Sequence, residues 1–220
     1  MQDSSGSLQL ESCEFYHSMD LPGHGEVEGQ WDLRRGVVDY LGNVDLAGKR
    51  VLDVGTSSGF LCFQMERMGA SVVAFDLSPE QDWDFIPYGG AANPDRRAAM
   101  KAHIERIRRG WELAHASFGS RARLVRGSVY DLPVDEIGEV DVALFGSILL
   151  HLRDPFLALQ RAGRIATESV IVTDVMPPAQ RPTGGLVLRL LMRFCHRITV
   201  RNAPTMTFIP DPPRATNDLT

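Results

Sequence analysis

The stretch KRVLDVGTSSGFLCFQMERMGASVVAFD, residues 49–76, decides the fold of this chain. It begins with an apolar run that ends in a glycine turn, continues with apolar residues at helical spacing, and closes on a second apolar run, SVVAFD. Runs that are apolar on both faces and separated by a helix are typical of adjacent strands in a covered parallel sheet. The stretch therefore predicts a strand, a helix and a second strand.

The same alternation continues along the chain. Asp154 followed by Pro155 is typical of an N-cap and a first helical position. The further predicted elements are a helix over about 94–116 with an apolar seam of Met100, Ile104, Ile107, Trp111 and Ala114, strands near 122–126, 140–146 and 169–175, and a helix from Pro155 to about 166. The pattern predicts an α/β fold of the Rossmann-like, doubly wound type, with a mostly parallel sheet and helices on both faces.

The two ends of the chain differ from this central part. The expected organisation is a disordered tail at 1–12, an N-terminal helical lead-in or lid at 13–48, a central domain at 49–176, and a C-terminal helix with a Pro-rich tail at 177–220. The lead-in is expected to enter a helix at about Asp32, with Leu33, Val37 and Leu41 on one face. The C-terminal helix is expected over about 186–198.

Composition narrows the functional classes. The 220 residues, 44% of them apolar and 23% charged, suit one ordinary globular domain. No apolar run reaches the roughly 18 residues that a membrane span needs, and the first residues lack the regions of a signal peptide. Cys13, Cys62 and Cys195 are far apart, so we expect no disulfide framework, no metal site and a cytoplasmic location.

Charge gives two opposing indications. The chain has 23 Lys and Arg against 28 Asp and Glu, a net charge of -5, which disfavours a protein dominated by nucleic-acid contacts. Between Asp95 and Arg126, however, nine basic residues accompany only three acids. The sequence is therefore also compatible with an anionic substrate.

The glycine turn and the acid that ends the second strand carry the chemistry. The turn has the pattern D-x-G-x-S-x-G, and Asp76 lies 21 residues beyond Gly55, as in the nucleotide-binding half of a doubly wound sheet. Asp76 is placed to accept hydrogen bonds from a ribose diol. Ser57 stands where a dinucleotide fingerprint needs a second glycine, and Asp53 lies inside the turn, so both disfavour NAD. They suit a ligand that combines a ribose with a cationic amino-acid tail.

These residues resemble the class I S-adenosylmethionine (SAM) dependent methyltransferases. The likeness spans about 14–176 and rests on LDVGTSSG at 52–59, Asp76, GSVYDLP at 127–133 and LFGSILLHLRDP at 144–155. The lead-in FYHSMDLPG, then WDLR, GKRVLDVGTSSGF and MERMGA, is similar to the branch of wobble-uridine (5-oxyacetic acid) tRNA methyltransferases. That branch also holds small-molecule enzymes.

The resemblance implies a set of donor-binding residues. Asp53, Gly55, Thr56, Ser58 and Gly59 would form the turn under the methionine part of SAM, Asp76 would hold the ribose, Leu77, Ser128 and Val129 would contact adenine, and Phe145, Gly146 and Ser147 would line the floor near the sulfonium. The tRNA enzymes that use carboxy-SAM carry a Tyr where this chain has Leu150. We therefore expect plain SAM.

Four residues are candidates for contact with the acceptor, and each of them has a packing role as the alternative. His151 is the candidate catalytic base, because imidazole titrates near neutral pH, or else it satisfies nearby backbone groups. Tyr16, His17 and Trp31 are candidates for substrate or lid contacts, or they pack the lead-in.

The sequence predicts an enzyme that moves the SAM methyl group to a small-molecule acceptor by in-line displacement. One alternative is a wobble-uridine-type RNA methyltransferase, and another is a non-catalytic SAM-binding partner or regulatory module. No membrane partner is expected, and the oligomeric state stays open. Only 45 residues follow Val175, which suggests a truncated or shortened chain that lacks part of the usual C-terminal strand pair. The strand at 169–175 is then expected to lack its usual neighbours unless 205–209 pairs there.

Overall fold

A computed structural model describes residues 9–81, 83–84, 94–174, 198–202 and 207–208. In chain order the elements are a 3₁₀ turn at Leu10–Ser12, β1 (Met19–Leu21), β2 (Gly25–Val27), β3 (Trp31–Asp32), α1 (Val37–Tyr40), β4 (Arg50–Val54), α2 (Phe60–Arg67), β5 (Ser71–Asp76), α3 (Pro94–Phe118), β6 (Arg123–Arg126), α4 (Val134–Ile137), β7 (Val140–Gly146), a 3₁₀ turn at Leu149–His151, α5 (Pro155–Gly163), β8 (Ala166–Asp174), β9 (Ile198–Asn202) and β10 (Thr207–Phe208). None of the helices in these ranges has the length and apolar character needed to cross a membrane.

A parallel sheet of six strands organises the chain, in the order β6-β5-β4-β7-β8-β9. In this register Asp53 on β4 lies between Ala74 on β5 and Leu144 on β7. Strands β5 and β6 lie on one side of β4, and β7, β8 and β9 lie on its other side. The carboxyl ends of β4, β5 and β7 therefore meet at the point where the strand order reverses, which is where doubly wound sheets bind ligands. The sheet confirms the predicted fold class.

Both faces of the sheet are covered by apolar layers. Side chains such as Val51 and Val142 pack with the lead-in, α2 and α3. Their neighbours along the strands, such as Leu52 and Ala143, pack with α4 and α5 on the other face. The strands are apolar on both faces for this reason, as the sequence pattern predicted.

The lead-in differs from its prediction. It contains the antiparallel hairpin β1–β2, and Asp32 lies in β3 rather than at a helix start. The Asp32 carboxylate accepts hydrogen bonds from the Arg34 backbone and side chain, at 3.0 Å for each nitrogen, so it closes a turn. The only helix between the hairpin and β4 is the four-residue α1. Leu33 and Val37 are buried as expected, although most of that segment is not helical.

The termini also differ from expectation. Leu10–Ser12, placed in the disordered tail, forms a 3₁₀ turn, whereas 1–8 lie outside the described residues. At the other end β8 has a parallel neighbour, because β9 pairs beside it with Val170 opposite Ile198. The helix predicted at 186–198 falls outside the described residues except for Ile198, which is in this strand.

Three further details of the chain after β7 differ from their predictions. Thr207 and Phe208, the described residues of the 205–209 segment, pair antiparallel with β3 rather than with β8. The helix that begins at Pro155 ends at Gly163, and β8 begins at Ala166, before the predicted strand start. The predicted capping is confirmed, since the Asp154 carboxylate accepts the Leu157 N–H at 2.9 Å.

Candidate active site

A cavity of about 630 Å³ opens beyond the carboxyl ends of β4, β5 and β7. Its floor includes Gly55 after β4, Leu77 after β5 and Ser147 after β7. The lead-in and α3 form the opposite wall, with His17 and Trp111 among their lining residues. The volume is within the range of sites that enclose a small molecule.

The turn after β4 is held by β5. Gly55 and Thr56 donate their N–H groups to the Phe75 carbonyl at 2.8 and 3.1 Å, and Gly55 has a φ of +77° that favours glycine. The Ser57 N–H donates to the Asp76 carboxylate at 2.7 Å. Gly55, Thr56 and Ser57 therefore line the cavity in a fixed backbone conformation.

Asp76 is the central polar group of this floor. One carboxylate oxygen accepts the Ser57 N–H and the other accepts the Leu77 N–H, at 2.7 Å each. Burial raises the pKa of Asp76, although these two hydrogen bonds act in the opposite direction. Each oxygen keeps a further lone pair, and Asp76 lines the cavity, so the carboxylate can accept two hydroxyl groups of a ligand.

Asp53 lies deeper than this floor. It is 1% exposed, it does not line the cavity, and its Oδ2 atom has no hydrogen-bond partner. Burial is the main cause that raises its pKa to about 7, and the Asp76 carboxylate adds repulsion. Asp53 is thus a buried carboxyl group under the turn, with no surface on the cavity.

Three other predicted donor-binding residues support the cavity without lining it. The fully buried Ser58 hydroxyl accepts the Tyr16 N–H at 3.0 Å. Gly59 has a φ of +89° where α2 begins, and a Cβ atom there would approach the Phe63 ring to 2.5 Å. Phe145 is fully buried in the core beneath the site. These residues act on a ligand only through the shape of the wall above them.

The remaining predicted floor residues line the cavity. Leu77, Ser128 and Val129 lie around one end, next to Asp76. Gly146 and Ser147 follow β7, and a Cβ on Gly146 would come within 2.7 Å of the Leu61 side chain.

Ser147 is fixed from two sides. It has a φ of +56°, its N–H donates to the Thr173 carbonyl at 2.6 Å, and its hydroxyl lies 3.1 Å from the Tyr40 hydroxyl. The Thr173 hydroxyl in turn donates to the Tyr40 carbonyl at 2.8 Å. The helix α1 therefore holds the turn after β7, which is a role that the sequence pattern did not reveal.

The lead-in places two of its three candidates on the cavity. Tyr16 and His17 line it, whereas Trp31 does not. Trp31 instead holds the segment through its backbone, accepting the Ser18 N–H at 2.8 Å and donating to the Tyr16 carbonyl at 3.2 Å. His17 is 7% exposed, its Nδ1 atom has no partner, and burial lowers its pKa to about 4. Its imidazole is therefore neutral near pH 7.

His151 lines the cavity from the 3₁₀ turn after β7. It is half-buried, and the Trp83 ring meets it edge-on, with 5.1 Å between ring centroids and 88° between planes. Burial lowers the pKa of His151, and the charge of Asp174 acts in the opposite direction. A neutral imidazole facing a cavity can accept a proton.

The apolar seam predicted for α3 proved to be a cavity wall. Met100, Ile104 and Ile107 line the cavity and are only partly buried, and Trp111 lines it with a buried indole N–H that has no partner. Arg108 ties this helix to the floor by donating to the Leu77 carbonyl at 3.2 Å. Helical spacing marks an apolar face but does not tell a core from a binding wall, so no sequence signal identified these contacts.

The nine basic residues between Asp95 and Arg126, here called the basic cluster, are mostly paired with acids. Five of its arginines lie within 4.0 Å of a glutamate: Arg106, Arg108, Arg109, Arg123 and Arg126. Of these, Arg108 and Arg126 line the cavity. Within the described residues, no group of three or more His, Cys, Asp or Glu side chains could hold a metal ion.

Two comparisons with solved structures give partial overlaps. The N-terminal domain of EvdMO1 with S-adenosylhomocysteine bound has a TM-score of 0.43 at 18% identity, covering 71% of this chain and 58% of that one. A Burkholderia thailandensis 1,6-didemethyltoxoflavin-N1-methyltransferase has a TM-score of 0.38 at 20% identity, covering 60% of this chain and 46% of that one.

Sequence relatives are methyltransferases. A ubiquinone biosynthesis O-methyltransferase of Xanthomonas oryzae pv. oryzae is 54% identical over 129 residues, which is 58% of this chain and 43% of the relative. A ribosomal protein L11 methyltransferase of Deinococcus radiodurans is 42% identical over 59 residues, 26% of this chain and 22% of the relative. The chain thus spans less than half the length of these relatives.

A family model described as a methyltransferase domain matches residues 52–172, from β4 to β8. This match covers more than half of the chain and confirms the predicted likeness to methyltransferases. The chain belongs to the methyltransferase domain family.

Proposed function

We propose that this protein transfers the methyl group of SAM to a hydroxyl oxygen of a small-molecule acceptor. The observation that carries the proposal is the Asp76 carboxylate, held at the cavity floor by the Ser57 and Leu77 N–H groups. The choice of an oxygen acceptor is supported by the relative from Xanthomonas oryzae, which is an O-methyltransferase.

The residues present fit the donor. Three buried polar atoms that have no hydrogen-bond partner among the described residues belong to residues that line the cavity: His17 Nδ1, Gln81 Oε1 and Trp111 Nε1. Buried polar groups are normally hydrogen-bonded, so these atoms indicate a polar ligand. Thr56 follows the glycine turn, where we place the methionine part.

Different residues of the cavity floor would contact different parts of the donor. Asp76 would hold the ribose hydroxyls, and Leu77 with Ser128 and Val129 would contact adenine. When bound, SAM supplies an electrophilic methyl group on a sulfonium. Gly146 and Ser147 would then shape the floor near that group, because a larger residue than glycine would meet Leu61.

His151 is the proposed base. A hydroxyl acceptor must lose its proton as its oxygen attacks, and a neutral imidazole at the cavity wall can take that proton. The apolar wall of α3 would exclude water from the acceptor. The protein thereby contributes position, a proton acceptor and a dry site.

Titration calorimetry and a transfer assay test the proposal. SAM and S-adenosylhomocysteine should bind, and NAD should not. With methyl-labelled SAM, catechol as the oxygen acceptor probe should take up label, and an unmodified tRNA transcript should not. Absence of any heat with SAM and with its demethylated product would contradict the proposal. Donor binding with no transfer to either probe would instead support a non-catalytic SAM-binding module.

RNA methylation of the wobble-uridine type is the second candidate. The lead-in that resembles that branch packs on the glycine turn through the Tyr16 to Ser58 hydrogen bond, which is the observation in its favour. The pairing of the basic cluster with glutamates argues against an RNA surface. Leu150, which replaces the Tyr of carboxy-SAM enzymes, is 61% exposed and does not line the cavity, so plain SAM remains our proposal. The cytoplasmic location stays a prediction.

A further inference from the structure

Asp84 and Tyr130 tie together three loops at one end of the cavity. The Tyr130 hydroxyl donates to the Asp84 carboxylate. The same hydroxyl accepts the Arg153 and Asp154 N–H groups, at 2.8 and 3.2 Å, and the Arg153 N–H also lies 3.0 Å from the Asp84 carboxylate. The loops that follow β5, β6 and β7 thus share one network, in which the tyrosine hydroxyl uses its donor and both acceptor sites.

The network is anchored to the body of the protein. The Arg161 side chain on α5 donates to the Tyr130 carbonyl at 3.0 Å. Helix α5 therefore holds the backbone of Tyr130 while its hydroxyl reaches the other two loops. Asp84, Tyr130 and Arg153 all line the cavity, so the network is part of the cavity wall.

The network also connects the two segments that carry the rings of Trp83 and His151. Trp83 is the neighbour of Asp84, and His151 lies two residues before Arg153. The two rings meet edge to face at 5.1 Å, an arrangement that aromatic rings favour. A change in the network would therefore move the rings apart or change their angle.

We infer that Asp84 and Tyr130 are positioning residues that hold Trp83 against His151 and so shape the acceptor end of the cavity. The inference rests on the proposed function, since His151 is the base proposed there. Its consequence is a division of labour within the cavity. The ribose and methionine parts of the donor depend on Asp76 and the turn after β4, whereas the ring pair next to the acceptor depends on the Asp84–Tyr130 network.

Tyr130→Phe tests this directly, because it removes the hydroxyl and keeps the ring. Turnover with catechol should fall by about ten-fold or more, because the change removes the three hydrogen bonds of the Tyr130 hydroxyl and the loss of one such bond has an effect of about five-fold. The affinity for S-adenosylhomocysteine should stay within about two-fold of the wild type. Asp135→Ala, an exposed acid on α4, is the control and should change neither quantity.

Fluorine NMR gives a readout that does not depend on activity. The chain has 3 tryptophans, so protein labelled with 5-fluorotryptophan should give three signals, and Trp83→Phe identifies that of Trp83. In the wild type His151→Ala should shift the Trp83 signal. In the Tyr130→Phe background the Trp83 signal should already be displaced and should no longer respond to His151→Ala. Unchanged Trp31 and Trp111 signals would show that the fold is intact.

The outcomes separate the hypotheses. If the Trp83 signal and its response to His151→Ala are the same in Tyr130→Phe and in Asp84→Ala as in the wild type, the inference is wrong. If Tyr130→Phe displaces all three signals, the same two measurements on Asp84→Leu decide the question, because leucine has a similar shape and no hydrogen-bond acceptor. Failure of the proposed function would appear separately, as absence of donor binding in the wild type, and would leave the NMR result intact.

Discussion

The two walls of the cavity are built in different ways. On the sheet side, backbone groups are held by neighbouring strands, as Gly55 and Ser57 are by Phe75 and Asp76. On the opposite side, the lead-in and α3 present side chains, and His17 and Trp111 there have buried polar atoms with no partner in the described part of the chain. Under the proposed function, the sheet side is therefore a rigid surface for the donor, whereas the other side supplies polar side chains that a ligand would have to satisfy.

The largest effect is expected at the acceptor end. His151→Ala should lower turnover by about 100-fold or more, because it removes the proposed base. Donor affinity should stay within about two-fold, since the sheet-side wall is untouched. His24→Ala, at an exposed position in the hairpin turn, is the control. Equal loss of turnover and donor affinity in a combined kinetic and calorimetric measurement would give His151 a structural role.

The buried histidine of the lead-in should make stability depend on pH. Burial lowers the pKa of His17 to about 4, below its unfolded value, so the unfolded chain binds more protons as pH falls from about 6.5 to about 4. Stability is thus present at higher pH and is lost across that interval. The loss from this group is at most about 3.4 kcal/mol at 1.36 kcal/mol per pKa unit.

Urea unfolding of the wild type and of His17→Asn, each near pH 7 and near pH 4.5, measures the contribution of His17. That contribution is the difference between the two proteins in the unfolding free energy lost on acidification. Asp53 acts in the opposite direction, because its pKa is raised to about 7 and the folded state keeps its proton. That contribution is common to both proteins and cancels. His24→Asn should retain the wild-type dependence. Parallel pH profiles for wild type and His17→Asn would show that His17 is not held neutral by the fold.

The preorganised sheet side predicts a donor-specific effect. Asp76→Ala should weaken SAM binding by about 10- to 100-fold, since hydrogen bonds to a charged group contribute roughly 1.5 to 3 kcal/mol. Titration calorimetry of Asp76→Ala beside Asp135→Ala measures it. An unchanged dissociation constant would remove the basis for the ribose site.

The smallest effect should come from the support behind the floor. Tyr40→Phe leaves the Ser147 hydroxyl without the partner that it has at 3.1 Å, and it should cost about 1 kcal/mol of unfolding free energy. Thermal unfolding of Tyr40→Phe beside Val38→Ala, an exposed residue on the same helix, measures the difference. A loss equal to that of the exposed control would mean that α1 does not support the turn after β7.

Local patterns predicted the sheet side well. The apolar runs at 50–54 and 140–146 correspond to β4 and β7, because strands buried on both faces leave a continuous apolar signal. The position of Asp76 at the end of β5 and the capping role of Asp154 were also predicted from local pattern, since each carboxylate accepts N–H groups close to it in sequence or in the turn after an adjacent strand.

Long-range contacts were not predicted. The lead-in was expected to be helical, but it forms a hairpin and a strand that pairs with Thr207 and Phe208. The strand at Ile198 beside β8 was missed, and the apolar seam predicted for α3 gave no indication that part of it lines the cavity. Ser58, Gly59 and Phe145 were placed on the donor by motif, whereas they lie beneath the wall.

The parallel strands from β4 to β8, the helices α2, α3 and α5, the glycine turn and the acid that ends β5 follow from the sequence alone, because they depend on apolar periodicity and on residues near one another along the chain. Only the tertiary structure decided which side chains face the cavity, including His17, Trp111 and the Asp84–Tyr130 network. Those contacts join segments far apart in sequence, and whether a polar atom is buried without a partner depends on all the segments that pack around it.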